Sequence, residues 1–492
     1  MNRKRLLILL FVLLWILSTG YPASGEDTQS ARKIILQNGM VVITKEVHSA
    51  PVVSIIVGVK VGARNEKLGL TGISHFLEHM LFKGTKKFPP GLISKTLNRL
   101  GAHFNAYTSY DLTAFYETLP KDFIKSAMYI ESDRLVNSLL DPEEFKHERV
   151  VVMSELEGGE NDPLESLFKS LRGITFQSHP YHWPIIGYTE DVKRITLEDM
   201  RKHYKTYYVP NNAILVMVGD FETERAQYLA KAIFGKIPKG DEPPEVRAKE
   251  EPQRCERRVI LNRKNCQPFI VIGIHVPNMK DLDTHALHVL DAMLTTGRTS
   301  RLYKRLVQGN LCVMVNSYMP TSRDPSACQI YARLRPGISY KNVEDEIWKE
   351  IEDIKKNPPS AEEMEKAKTL LKANFFKNCE SASEIAQSLC YFEAVGDYTF
   401  FDTYVDKINK VTASDISRVA RKYFNRKYQN VAWLIPEENE KESSVDFKKQ
   451  KTKSILVGKK PFISPRACFS GRPKHHHASS QNPPTIKGFK LG

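Results

Sequence analysis

At 492 residues, with 41% apolar and 10% aromatic side chains, the chain is too long for one ordinary domain and apolar enough to bury two or more cores. Its formal charge of +15 would suit a nucleic-acid binder, but Arg3, Lys4, Arg5 and the twelve Lys or Arg of residues 441–492 carry nearly all of it. The middle of the chain is close to neutral, so nucleic acid is not an expected partner.

In chain order, the basic start is followed by an apolar run from Leu6 to Leu17 and then by small residues at Ala23, Ser24 and Gly25. Residues 1–25 read as a secretory signal peptide, so the protein is expected to be exported, and periplasmic if its source is Gram-negative. The run is shorter than the roughly 20 residues a spanning helix needs, and no permanent membrane span is expected once the signal is removed. Strand-like runs at Val52–Val61 and Pro268–Val276 each open a region that continues into helical patterns. Each region also closes alike. Thr196, Asp199 and Tyr207 precede the apolar run Ala213–Val218, and Thr412, Asp415 and Tyr423 precede Val431–Ile435, with Asp and Tyr eight apart both times.

This spacing points to an internal duplication. The expected architecture is α+β, with two homologous domains, each a mostly antiparallel sheet with helices packed on one face. A Pro- and charge-rich stretch from Pro238 to Pro252 reads as the join. The division is then a first domain at 32–237, a linker at 238–256, a second domain at 257–437 and a basic, low-complexity tail at 438–492 containing His475, His476 and His477. All seven Cys lie in the second half without CxxC spacing, which disfavours a Cys-based metal site. Their odd number leaves at least one unpaired and the pairing open.

The segment Thr71-Gly72-Ile73-Ser74-His75-Phe76-Leu77-Glu78-His79-Met80 carries the chemistry. On a helix, His75 and His79 share a face and can converge on one ion, while Glu78 stands beside them as a base that need not be a ligand. Farther along, Glu148 and Glu155 lie seven apart, two helical turns, and project from one face. One of them can complete a site of two His and one carboxylate with an open fourth position, the arrangement of catalytic zinc. The apolar Val150 to Met153 between them implies a mostly buried helix on which an unpaired carboxylate would be unfavourable.

Taken together, Gly72 to Thr85, Gly101 to Ser109, Glu148 to Glu155 and His179 to Gly187 resemble the pitrilysin, insulinase and mitochondrial processing peptidase family over about residues 32–436, and the 76 positions between His79 and Glu155 match that family's spacing. The resemblance implies one Zn2+ per chain held by His75, His79 and Glu155, with Glu78 as general base and Glu148 as an accessory catalytic carboxylate. It also implies peptide substrates, added as a strand along Asn105 and Ala106. In the second domain it implies an Arg followed seven residues later by Tyr, both gripping substrate. Arg305 fits, but the Tyr position is Cys312, a poorer hydrogen-bond donor. A homologous partner subunit supplying Arg and Tyr is therefore expected. The rival expectation is a non-catalytic structural subunit of the same fold.

Overall fold

The computed structural model describes residues 30–437, so the expected signal peptide and the whole of the basic tail with its His run lie outside the described residues. Among the described residues, no helix is long and apolar enough to cross a membrane. Cys255 is disulfide-bonded. Cys266, Cys312, Cys328, Cys379 and Cys390 are free.

The first half contains β1 (Arg32–Ile35), β2 (Val41–Glu46), β3 (Val52–Val59), α1 (Ile73–Met80), α2 (Leu92–Arg99), β4 (His103–Thr108), β5 (Thr113–Pro120), α3 (Ile124–Asn137), α4 (Pro142–Asn161), α5 (Pro163–Thr175), α6 (Thr189–Arg194), α7 (Leu197–Tyr207), β6 (Ala213–Gly219) and α8 (Thr223–Ile233). The second half contains β7 (Arg257–Arg263), β8 (Phe269–Val276), α9 (Thr284–Thr295), a π-helical turn at Tyr303–Gln308, β9 (Cys312–Tyr318), β10 (Ser326–Leu334), α10 (Tyr340–Lys356), α11 (Ala361–Lys377), α12 (Ala382–Val395), α13 (Thr399–Lys410), α14 (Ala413–Tyr423) and β11 (Asn430–Pro436).

Two sheets result, ordered β1-β2-β6-β3-β5-β4 and β7-β11-β8-β10-β9. Pairing is antiparallel except between β2 and β6 and between β7 and β11. Apart from the extra edge strand β1, the second order repeats the first. The repeat extends to the caps. Thr196 and Asp199 form a capping box at the start of α7, Thr412 and Asp415 form one at the start of α14, and each helix leads through a short 3₁₀ turn into a central strand.

The central strands are apolar at nearly every position because both of their faces are covered. Val53, Ile55, Val57 and Val59 of β3 face the first half's own helices, as the sequence implies for one face. The opposite face is not bare: Ile56, Ile214 and Val216 pack against Ile385, Ala386 and Leu389 of α12, a helix of the second half. The exchange is reciprocal. Leu167 and Leu171 of α5 pack on Phe269, Val271 and Ala432 of the second sheet. Gly58 permits the close approach of α12, since a Cβ there would collide with Cys390 Sγ.

A buried polar cluster also joins the halves. Asp324 accepts from His179 Nε2 at 2.9 Å and pairs with Arg64, while Tyr181 Oη donates to Asp111 at 2.8 Å. Burial works to raise the Asp324 pKa, but the hydrogen bonds from His179 and Arg64 prevail and bring it down to about 2.

Two outcomes are expected. Leu171→Ala should lower stability by about 2–5 kcal/mol, read as a lower urea midpoint, because it empties a contact that holds the halves together. Because the Asp324 pKa is depressed from 3.8 to about 2, its stabilising contribution is full above the unfolded value and lost as pH falls through the folded one. The stability gap between the parent chain and Asp324→Asn should therefore narrow on acidification between about pH 5 and pH 2, measured by denaturation at each pH.

Candidate metal centre

The helix bearing His75 and His79 is only eight residues long, and its start is fixed from three sides. Gly72 takes a left-handed φ of 87° and faces the Ile186 carbonyl, while Gly187, also at 87°, faces the Thr71 carbonyl. A Cβ on either would collide with backbone, so the two strands of chain can lie this close only as glycines. Glu66 accepts from the Gly72 N–H at 2.7 Å and the Ser74 N–H at 2.8 Å, occupying donors that the helix itself cannot use. Burial raises the Glu66 pKa to about 7 against the pull of those bonds. Asp191 accepts from Thr71 Oγ1 at 2.7 Å, tying the preceding turn to α6. Phe76, Leu77 and Met80 enter the core, which leaves His75, Glu78 and His79 lining a cleft.

Glu155 reaches the same point from α4. His75 Nε2 lies 3.8 Å from Glu155 Oε1, and His79 Nε2 lies 3.6 Å from Glu155 Oε2. One donor atom from each residue falls within 4.8 Å of the others. These separations exceed hydrogen-bond length, whereas ligands about 2.0–2.1 Å from a tetrahedral zinc stand roughly 3.3–3.4 Å apart. A donor set of two imidazoles and one carboxylate at this spacing fits a divalent ion. Glu148 Oε1 sits 2.9 Å from His79 Nδ1, an orienting contact that leaves Nε2 on the side of Glu155. Burial, and secondarily His79, lower the His75 pKa to about 4, so its ring is neutral at physiological pH.

The second carboxylate segment begins where Asp141 caps α4 by accepting from Glu143 and Glu144 N–H groups, with Pro142 at the first position. The expectation of a mostly buried segment between Glu148 and Glu155 needs correction. Val152 is buried, but Val150 is 69% exposed and Val151 49% exposed, because α4 lies at the surface with one face inward. Glu148 is on the inward face. Burial works to raise its pKa, but hydrogen bonds from Lys83 Nζ, at 2.5 Å, and His79 bring it below the usual range. Glu155 stays half exposed, toward the cleft.

The cleft has a volume of about 980 Å³. Glu78 Oε2 accepts from Thr108 Oγ1 at 2.6 Å. Burial nevertheless pushes the Glu78 pKa up. Thr108 ends β4, which forms the edge of the first sheet. Ala106 of that strand lines the cleft, while the exposed Asn105 turns its own Oδ1 onto the Ala106 N–H at 2.9 Å.

Arg305 is not brought to this cleft. It sits on the π-helical turn and pairs with Glu350 at 2.7 Å and Glu346 at 3.4 Å. Cys312, which opens β9, is fully buried, and burial pushes its thiol up to about 12. Sequence reasoning missed Glu66, Lys83, Thr108 and Asp191. Lys83 and Glu66 lie near the helix in sequence and could have been flagged by charge, whereas Thr108 and Asp191 carry no local signal.

The residues match two family models in succession, described as insulinase, peptidase family M16, over residues 41–189, and peptidase M16 inactive domain over residues 194–371. The zinc protease PqqE of Helicobacter pylori is 30% identical over 439 residues, covering 88% of this chain and 99% of that one. A probable mitochondrial-processing peptidase subunit beta of Schizosaccharomyces pombe is 27% identical, covering 78% of this chain and 87% of that one. Among solved structures, a protease from Helicobacter pylori superposes with a TM-score of 0.80 at 30% identity, covering 83% of this chain and all of that one. The first half of the periplasmic protease PqqL from Escherichia coli shares the fold, with a TM-score of 0.70 at 19% identity. The chain belongs to the M16 peptidase family.

Glu66→Ala should free the start of the helix bearing His75 and His79 and weaken zinc affinity by about 10- to 100-fold, measured by chelator competition. An affinity equal to that of the parent chain would show that Glu66 does not position His75.

Proposed function

We propose that the chain is a zinc-dependent endopeptidase acting on extended peptides or unfolded segments, with His75, His79 and Glu155 as the metal ligands. The observation that carries this reading is the convergence of those three donors, 3.6 to 3.8 Å apart across Glu155, in a cleft that also contains Glu78. A zinc ion held there would supply an acidified water and a Lewis acid for the scissile carbonyl. Glu78 is the general base. Thr108 holds its Oε2 and burial raises its pKa, so the carboxylate is basic enough to take a proton from the attacking water and return it to the leaving amine. Glu148 is the accessory carboxylate that orients His79.

The substrate adds as a strand along the free edge of β4, where its backbone displaces the Asn105 side chain from the Ala106 N–H. Backbone pairing of this kind gives affinity with loose sequence selectivity. In this reading residues 32–237 form the catalytic domain, 238–256 the linker and 257–437 the second domain, and residues 1–25 direct export. With Arg305 engaged by Glu350 and a buried thiol at Cys312, the second domain offers no Arg and Tyr pair at those positions. A homologous partner subunit that supplies the pair is the assembly this favours. Cys312 also favours the rival reading, a non-catalytic subunit of the same fold.

Glu78→Gln should retain zinc and lower peptide turnover by about 10²- to 10⁴-fold, measured by metal analysis and a peptide-library digest with and without chelator. Turnover at the parent rate in this variant, or in the chelated parent chain, would remove the hydrolytic reading. Undiminished zinc with no turnover in the parent chain, alone or with any co-expressed homologue, would favour the structural subunit.

A further inference from the structure

Helix α5 has two faces. Leu167 and Leu171 anchor it in the second sheet, and Phe168, Lys169 and Arg172 line the cleft that contains His75 and Glu155. Lys169 is engaged, 3.0 Å from Glu160. Arg172 is not. Its guanidinium lies 4.3 Å from the ring centroid of Tyr110, and among the described residues its one hydrogen bond is a long contact of 3.4 Å from Nη1 to the Tyr181 carbonyl. Among the described residues no carboxylate pairs with it, although a guanidinium presents five N–H donors. The side chain is half-buried and stacked, so its position is set before any ligand arrives.

An arginine held on an aromatic face with most of its donors unused matches one ligand chemistry, a carboxylate taken in bidentate fashion. The surroundings sharpen this. Glu155, Glu160, Asp162 and Glu165 also line the cleft, and Lys169 there is already paired with Glu160, so among these side chains Arg172 is the one placed to accept a substrate carboxylate. From the second half, Tyr318 of β9 stands close enough for Arg172 to act on its hydroxyl, whose pKa burial raises and Arg172 opposes.

We propose that Arg172 is a substrate-binding residue that selects peptides carrying a carboxylate on the side of the cleft lined by α5. The inference rests on the peptidase reading for its substrate, and it assigns to the first domain a recognition step that Arg305 does not provide. The carboxylate can be the peptide's C-terminus or an Asp or Glu side chain. Both present the same fork of oxygens.

The test is equilibrium binding to the full chain with Glu78→Gln, loaded with zinc, so that turnover does not enter. Fluorescent peptides of one extended sequence are compared with a free C-terminus, with an amidated C-terminus, and amidated with an internal Asp or its Asn counterpart. The free-carboxylate or the Asp peptide should bind at least about tenfold tighter than its neutral counterpart. Whichever arm shows the preference identifies the source. Adding Arg172→Gln should abolish the preference, and Arg172→Lys should retain part of it. Equal binding of charged and neutral peptides in the Arg172 protein overturns the proposal without any Arg172 variant being made, and so does a preference that survives Arg172→Gln. Carboxylate preference without turnover by the zinc-loaded parent chain, alone or with any co-expressed homologue, would defeat the peptidase reading and leave this one standing, and turnover without preference would do the reverse.

Discussion

The exchange of helices between the two sheets is the constraint on which the rest depends. Each sheet has central strands that are apolar on both faces, and neither half has enough helix on the far side to cover its own. Sending α5 one way and α12 the other buries both exposed faces at once, with apolar contact at each site. The consequence for the cleft is direct. Helix α4, which carries Glu148 and Glu155, runs into α5 through a single residue, Asp162, whose side chain caps α5 by accepting from the Leu164 N–H at 2.7 Å. The position of Glu155 is therefore held at one end by the first domain's core and at the other by the second domain's sheet. A half that bears every candidate ligand still needs the other half to place the third of them.

Around the candidate metal centre, burial and charge are balanced differently at each group. His75, mostly withdrawn from water, is kept neutral by desolvation and secondarily by His79. Glu148 is also buried, yet Lys83 and His79 bring its pKa below the usual range. Glu78 sits between these extremes, with burial raising its pKa and one hydroxyl opposing. The three groups, two on α1 and one on α4, are thus shifted in different ways for identifiable reasons. That separation is what a ligand, an orienting carboxylate and a proton acceptor each require.

The legible part of the chain was the part encoded locally. The short helix, the seven-residue spacing of Glu148 and Glu155 and the paired capping boxes at Thr196 and Thr412 are patterns that one or two turns of chain determine. The strands Val52–Val59 and Ala213–Gly219 were legible from their apolar runs. Those same runs could have signalled two covered faces, but no local pattern says that the cover comes from more than 150 residues away. Val150 and Val151 misled because apolar residues between two carboxylates suggest burial, whereas the helix turns them outward. Asp191, 120 residues from the Thr71 it ties down, leaves no trace in a window of any reasonable length.

The duplication makes the asymmetry between the halves informative. Both sheets end in an edge strand reached from a neighbouring helical segment, β4 in the first and β9 in the second. On the first edge, Thr108 presents a hydroxyl to Glu78 and Ala106 faces the cleft. The second edge opens with a thiol that burial keeps protonated, while the π-helical turn before it directs Arg305 toward Glu346 and Glu350. A π turn is a rare conformation. Here it aims Arg305 at its own domain. The second half thus keeps the frame of the first without its chemistry, and its contribution to the cleft is structural: it holds α5, and with it Arg172, against the candidate metal centre.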